Sequence, residues 1–291
     1  KFEFHHVGIA CDDITATAEF VHKAFDVVDV SQRIWDERQQ AHLCMFETAQ
    51  GLSIELIEGP QVAGLRRREI DFYHICYQTA DIHAAIAYLQ QYQAELIVEP
   101  TPAVLFNGRL VAFVNTEVGL IELVEQPLNA QTTVNDSVGY GQLGCFSGVG
   151  SNLADVKKAQ WQVQSFFHNK LAAKPKTNEV LGGETLLCGA PSDLLFYFTE
   201  NAQWLNLNSN KLSHIHFVVD DLAACVELLQ SLNCEVVRPA QACKQHNNRL
   251  LTVVKTPIGH LSLLESQVQK VTDARLQTLG PQINDNYKLH F

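Results

Sequence analysis

The chain has 291 residues, enough for two average domains, and its 46% hydrophobic and 18% charged residues suit a globular protein with a real core. A net charge of −11 and a pI near 5.5 argue against a general nucleic-acid binder, which is usually basic, though a local basic pocket for a phosphorylated ligand stays compatible. No run of 18 uncharged apolar residues occurs, so no membrane span is expected, and eight cysteines without a C-x-x-C pair read as buried reduced thiols of a cytosolic protein, not as a zinc cluster.

The first segment, KFEFHHVGIA, reads as a strand and not as a signal peptide. It runs through His6 to Asp13, where a helical stretch starts. A second strand of the same design, FYHICYQTADI at 72–82, runs through His74 to Asp81. The strand LSIELIEG at 52–59 carries Glu55, and GLIELVEQ at 119–126 carries Glu122. His6 and His74 lie 68 residues apart, and Glu55 and Glu122 lie 67 apart. Residues 2–58 and 70–126 are therefore two copies of one unit, a relation to be sought before any other.

Within the second copy the order is readable. Asp81 serves as N-cap to a helix over 82–92, and AELIVEP, GRLVAFVN and GLIELVE follow as strands. The unit is βαβββ. The segment 127–141, rich in Asn, Thr and Gly, reads as a linker.

Beyond it the pattern returns at an offset of 140. YHICYQTADI falls on SHIHFVVDDL, FNGRLVAFV on HNNRLLTVV, and VGLIELVEQ on IGHLSLLES. Units at 142–200 and 211–266 complete four copies, and the tail 267–291 resembles none of them. The expected fold is α+β, with four βαβββ units forming two half-barrel domains, 1–126 and 142–266. Helices would cover the convex side of each sheet and the concave side would remain as a cup.

Side chains alternate faces along a strand. His6, Glu55, His74 and Glu122 occupy equivalent places in the two copies and can converge inside the first cup. Two imidazoles and two carboxylates balance one divalent cation. Buried without such a partner, the carboxylates would be costly. His5, next to His6, is expected on the other face in a structural role. In the second half the matching positions are Phe146, Leu195, His214 and Ser262, so that half is expected to hold no metal. His214 and His216 then read as core or pocket residues.

These motifs resemble the vicinal oxygen chelate superfamily, which includes glyoxalase I, methylmalonyl-CoA epimerase, extradiol dioxygenases and bleomycin- or fosfomycin-resistance proteins. HHVGIA, IELIE, YHICY and GLIELVE look most like methylmalonyl-CoA epimerase. The family's ligand positions fall on His6, Glu55, His74 and Glu122. The resemblance implies a metal-dependent isomerase or lyase with one Zn, Co, Ni, Mn or Fe ion, binding a small substrate such as an acyl-CoA or 2-oxo compound. Glu122 is the expected base. The family's second catalytic carboxylate falls near AHLCMF, where His42 is the nearest candidate for the opposing acid or base.

Arg109, after the turn-forming Asn107-Gly108, is a candidate to hold a substrate carboxylate or phosphate, although Arg249 repeats it in the second half. The run Arg66-Arg67-Arg68 reads as a solvated loop that could attract a CoA-like phosphate. Competing readings are an extradiol-type dioxygenase, a non-catalytic binding or resistance protein, and thiol-dependent lyase or transferase chemistry. The protein would act as a monomer or homodimer.

Overall fold

The computed structural model describes residues 2–127, 142–167, 176–189, 194–200 and 211–266. Most of the expected linker, and the whole tail 267–291, lie outside the described residues.

The expected α+β architecture of two curled sheets is what the chain adopts. In the first unit, strand β1 (Phe2–Ala10) leads to helix α1 (Ile14–Ala24). Strands β2 (Val27–Val30), β3 (Ile34–Asp36), β4 (Ala41–Thr48) and β5 (Ser53–Glu58) follow, then the short helix α2 (Pro60–Arg66). The second unit runs β6 (Phe72–Thr79), α3 (Ile82–Gln90), β7 (Glu95–Pro102), β8 (Leu110–Thr116) and β9 (Gly119–Glu125). The third comprises β10 (Cys145–Leu153), α4 (Val156–Phe167), β11 (Lys176–Asn178), β12 (Gly183–Cys188) and β13 (Leu195–Glu200). The fourth comprises β14 (Leu212–Val219), α5 (Leu222–Ser231), β15 (Glu235–Cys243), β16 (Arg249–Thr256) and β17 (Gly259–Glu265).

The first sheet has the strand order β2-β4-β5-β1-β6-β9-β8-β7, with β3 paired to β4. The second has β11-β12-β13-β10-β14-β17-β16-β15. The two orders are equivalent strand for strand. At the centre of each, the first strands of two units run antiparallel (β1 with β6, β10 with β14), and each is flanked by its own unit's last strand in parallel.

Three helices start as the sequence dictates. The Asp13 carboxylate accepts from the backbone N–H of Thr15 and Ala16, and Asp81 and Asp221 do the same for Ala84 and Ala224. Helix α1 then buries Ile14, Thr17, Phe20, Val21 and Ala24, a stripe at three- and four-residue spacing.

One apolar core joins the helix-facing sides of both sheets, from Ile9, Phe20 and Leu56 to Phe196 and Phe217. Across it Phe4 stacks on Phe146 with ring centroids 5.5 Å apart, and Tyr77 stacks on Phe167 at 4.4 Å. Polar contacts close the seam: Glu117 pairs with Lys158 and Lys211, and Gln162 accepts from the Glu117 backbone N–H. The cup sides carry separate small clusters, such as Leu43, Ile57 and Val62, or Phe106, Val111 and Val124. All eight cysteines are free and seven are buried. No helix among the described residues is long and apolar enough to cross a membrane.

Candidate metal centre

The two central strands of the first sheet place the histidines and their neighbours place the carboxylates. Gly8 pairs with Glu55 in parallel and with His74 in antiparallel register. Cys76 pairs with His6 on one side and Glu122 on the other. Directly paired residues share a face, so His6, Glu55, His74 and Glu122 all turn into the cup. One donor atom from each lies within 4.8 Å of all the others. Gly8 makes room for this, because a Cβ there would enter the His74 ring.

His6 Nε2 is 3.2 Å from Glu55 Oε2, 3.2 Å from Glu122 Oε2 and 3.2 Å from His74 Nε2. His74 Nε2 is 3.3 Å and 3.4 Å from the two carboxylate oxygens. A cation about 2.1 Å from each donor separates them by roughly 3.0 Å at a right angle and roughly 3.4 Å at the tetrahedral angle. The observed edges fall in that range. Glu55 and Glu122 are only 3% and 1% exposed, and Glu122 Oε2 accepts no aligned hydrogen bond. A buried carboxylate oxygen left unpaired is costly. The donor set therefore fits a divalent cation.

Without a cation, protons take its place. Burial opposes charge on His74, but the Glu122 and Glu55 carboxylates outweigh it and raise the imidazole to about 9. His6 is raised by the same balance. Burial works against ionisation of Glu122 and Glu55, yet the two imidazoles hold both below the ordinary carboxylate range. Four charges of alternating sign thus face one point, and metal uptake there would release protons.

His42 is not part of this arrangement. Met45 pairs with Glu55, while His42 pairs with Glu58. His42 therefore faces the helix side, where its ring packs edge-on against Trp35 and Glu58 receives the N–H of Ile14 at the start of α1. The cup-facing residues of β4 are Ala41, Leu43, Met45 and the exposed Glu47.

His5 corrects a second expectation. A β-bulge lies between Phe4 and His6. The extra residue turns His5 toward its neighbour, and Nδ1 of His5 lies 2.8 Å from Nδ1 of His6. Phe106 packs against both rings. Burial, then the charges of His6 and Arg109, lower His5 to about 3. Cys76 joins His5 and His6 in a further group of possible ligands, but burial and Glu122 push its thiol well up, so it stays protonated. Cys76 shares its face with His74 at two-residue spacing, which is the sequence signal for it.

Arg109 is half-buried. Its Nε donates to the Phe106 carbonyl and its Nη1 to the Glu125 carbonyl, at 3.2 and 2.9 Å, and its guanidinium lies 5.2 Å from the Phe106 ring centre. Arg66 is committed to Asp71 and Asp12.

The second cup has different contents from those expected. Gly150 pairs with Tyr197 and His214 as Gly8 pairs with Glu55 and His74. The true counterparts of His6 and Glu55 are therefore Gly148 and Tyr197, not Phe146 and Leu195. His214 and Ser262 match His74 and Glu122 as expected. The Tyr197 ring lies 4.1 Å from that of His216, and His216 Nδ1 bonds to Ser262 Oγ at 2.5 Å. No group of three possible ligands converges in this cup among the described residues.

Comparison with known proteins agrees with this architecture. The sequence profile of the Glyoxalase/Bleomycin resistance protein/Dioxygenase superfamily matches residues 5–113. No curated protein matches the sequence. Among solved structures, a mutant of 4-hydroxymandelate synthase from Streptomyces coelicolor is similar at a TM-score of 0.59 and 12% identity, over 95% of this chain and 96% of that one. The Mn(II)-bound glyoxalase from Novosphingobium aromaticivorans gives 0.56 and 12%, over 90% and 81%. BphC, a halotolerant catechol dioxygenase, gives 0.59 and 10%, over 92% and 89%. At such identities the likeness is one of fold. The profile match makes residues 5–113 similar to this superfamily, and the solved structures share the fold of the whole chain.

Proposed function

We propose that the chain is a metal-dependent isomerase or epimerase that abstracts a proton alpha to a carbonyl. On this reading residues 1–126 form the metal-binding domain and 142–266 a second domain of the same build without a metal. His6, Glu55, His74 and Glu122 hold one divalent ion of the Zn, Co, Ni, Mn or Fe type. The observation that carries the reading is the buried Oε2 of Glu122, which faces two imidazole nitrogens at 3.2 and 3.4 Å without an aligned hydrogen bond.

Bound there, the cation would supply a Lewis acid for a substrate carbonyl. The chain's own residues supply the rest. Glu122 is the base, a ligand carboxylate that would loosen from the cation to take the substrate proton. Phe106, Phe113 and Met45 give the cup apolar walls that exclude water and strengthen the charge interactions inside. Arg109, on the rim beside Phe106, orients a substrate carboxylate or phosphate with the donors its backbone contacts leave free. An acyl-CoA or 2-oxo compound suits these parts, and methylmalonyl-CoA epimerase-like chemistry is the specific form proposed.

The test has two parts. Metal content of the purified chain should approach one ion per molecule. Incubation in D₂O with a panel of acyl-CoA esters and 2-oxo acids should wash deuterium into one of them without O₂ uptake. Catechol-dependent oxygen consumption with no such exchange would overturn the reading in favour of a dioxygenase. Tight binding of a small molecule with no turnover would make the chain a sequestering protein.

A further inference from the structure

His6 and His74 are equivalent by the internal repeat, yet their outward-facing nitrogens are held differently. Each is preceded by the extra residue of a β-bulge: His5 between Phe4 and His6 on β1, and Tyr73 between His74 and Phe72 on β6. His5 reaches the Nδ1 of its neighbour at 2.8 Å. The Tyr73 hydroxyl turns instead to Gln61, at 3.3 Å, and Nδ1 of His74 has no partner among the described residues. The second half repeats the device once. Ser213, the extra residue of the bulge on β14, sets its hydroxyl 3.0 Å from Nδ1 of His214. A bulge residue directly before the strand histidine thus holds that histidine's Nδ1 in two of three cases.

The chemistry follows from the protons. A neutral imidazole carries one N–H and one lone pair. If Nε2 of His6 gives its lone pair to a cation, its Nδ1 bears the hydrogen and must donate. His5 Nδ1 is the acceptor in place, and the His5 proton is then on Nε2. A ligand histidine held in this way is fixed in both tautomer and ring orientation. We propose that His5 is a positioning residue for the metal centre. It locks His6 as the Nδ1–H tautomer, which makes His6 the firmly held ligand and leaves His74 the looser one. This rests on the metal reading given above.

The experiment uses the full chain, stripped with a chelator and titrated with Zn(II) and separately with Mn(II) against a competing dye. His5→Leu should weaken binding about 10- to 100-fold, the usual scale for losing such an outer partner. His5→Asn, whose side-chain oxygen can stand where Nδ1 stood, should recover most of the loss, whereas a packing role alone would give no such recovery. Long-range ¹H–¹⁵N spectra of the Zn-loaded wild-type chain should show His6 protonated at Nδ1 and ligated through Nε2. This measurement needs no variant to fold. Wild-type binding that His5→Leu leaves unchanged, equal loss in both variants, or a His6 without an Nδ1 proton would each overturn the role of His5 while leaving the metal reading intact. Failure of the wild-type chain to bind either ion would overturn the metal reading itself.

Discussion

The two cups have the same strands in the same order and opposite interiors. In the first, two imidazoles face two carboxylates, and one carboxylate oxygen lacks an aligned hydrogen bond. In the second, Gly148, Tyr197 and Ser262 stand where His6, Glu55 and Glu122 stand, and only the His74 equivalent, His214, remains. Backbone topology therefore sets where the side chains meet, and it leaves open whether their meeting is ionic or neutral. The consequence shows in the histidines. His74 is pushed up to about 9 by its carboxylates. Burial instead drives His214 down to about 3, and burial with the Arg249 charge takes His246 to about 4.

The largest expected break in the comparison comes from its central carboxylate. Glu122→Gln should lower deuterium exchange by about 10²- to 10⁴-fold, the range for loss of a general base. Ser262→Ala, at the matching place in the second cup, should leave exchange unchanged. Parallel initial-rate measurements in D₂O check both, and equal loss in the two variants would remove the distinction between the cups.

Next in size are the paired glycines. A Cβ at Gly8 or Gly150 meets the ring of His74 or His214 respectively. Each alanine should cost about 1–3 kcal/mol of stability through overpacking. Only Gly8→Ala should also weaken metal binding. Thermal melts beside a metal titration separate the two effects.

The pH dependence should run in opposite directions. His74 has a folded value above the unfolded one, so in the metal-free chain its stabilising share is complete below about 6.5 and is lost as pH rises toward about 9. His214 and His246 have folded values below the unfolded one. The unfolded chain then binds more protons, and stability falls as pH drops below about 6.5 toward 4 and 3. Metal affinity should rise with pH up to about 9, because each ion must displace a proton from His74. Denaturant titrations of the stripped chain across this range, repeated with metal, would show the upper limb vanish when the ion is bound.

The smallest effect is expected at the seam. Glu117 meets two partly exposed lysines, and pairs of that kind contribute about 0.2–1 kcal/mol. Glu117→Gln should lower the melting temperature only slightly and leave metal binding in the first cup untouched.

Much of this was legible in the chain. The recurrence of His and Glu at 68- and 67-residue spacing singled out four residues whose donor atoms the structure brings within 4.8 Å of one another, because equivalent positions of a pseudo-symmetric sheet converge. Asp13 and Asp81 marked two helix starts, and the 140-residue offset carries the second of them onto Asp221. Three things were not legible. The face of His42 depends on pairing register, and apolar residues on both sides of AHLCMF hide which alternate set faces the cup. The match of Phe146 to His6 was two residues out, since a slip of two leaves the two-residue hydrophobic alternation unchanged, and a bulge between Phe146 and Gly148 then sends Phe146 to the core and Gly148 to the cup. His5 was misplaced because a bulge breaks the two-residue alternation without any mark in composition.

That bulge also sets the phase of everything before it. Counted back from His6 by twos, Phe4 and Phe2 would point into the cup. With one residue inserted they point the other way, onto Phe146 and Phe167 of the second half. The vulnerable property of the first strand is thus its length more than its letters. Substitution at positions 2–4 alters one contact at a time, whereas loss of a single residue there would turn two aromatic rings out of the seam. It would also withdraw His5 from His6 in the same step, so the hold on the site and the hold between the halves share one point of failure.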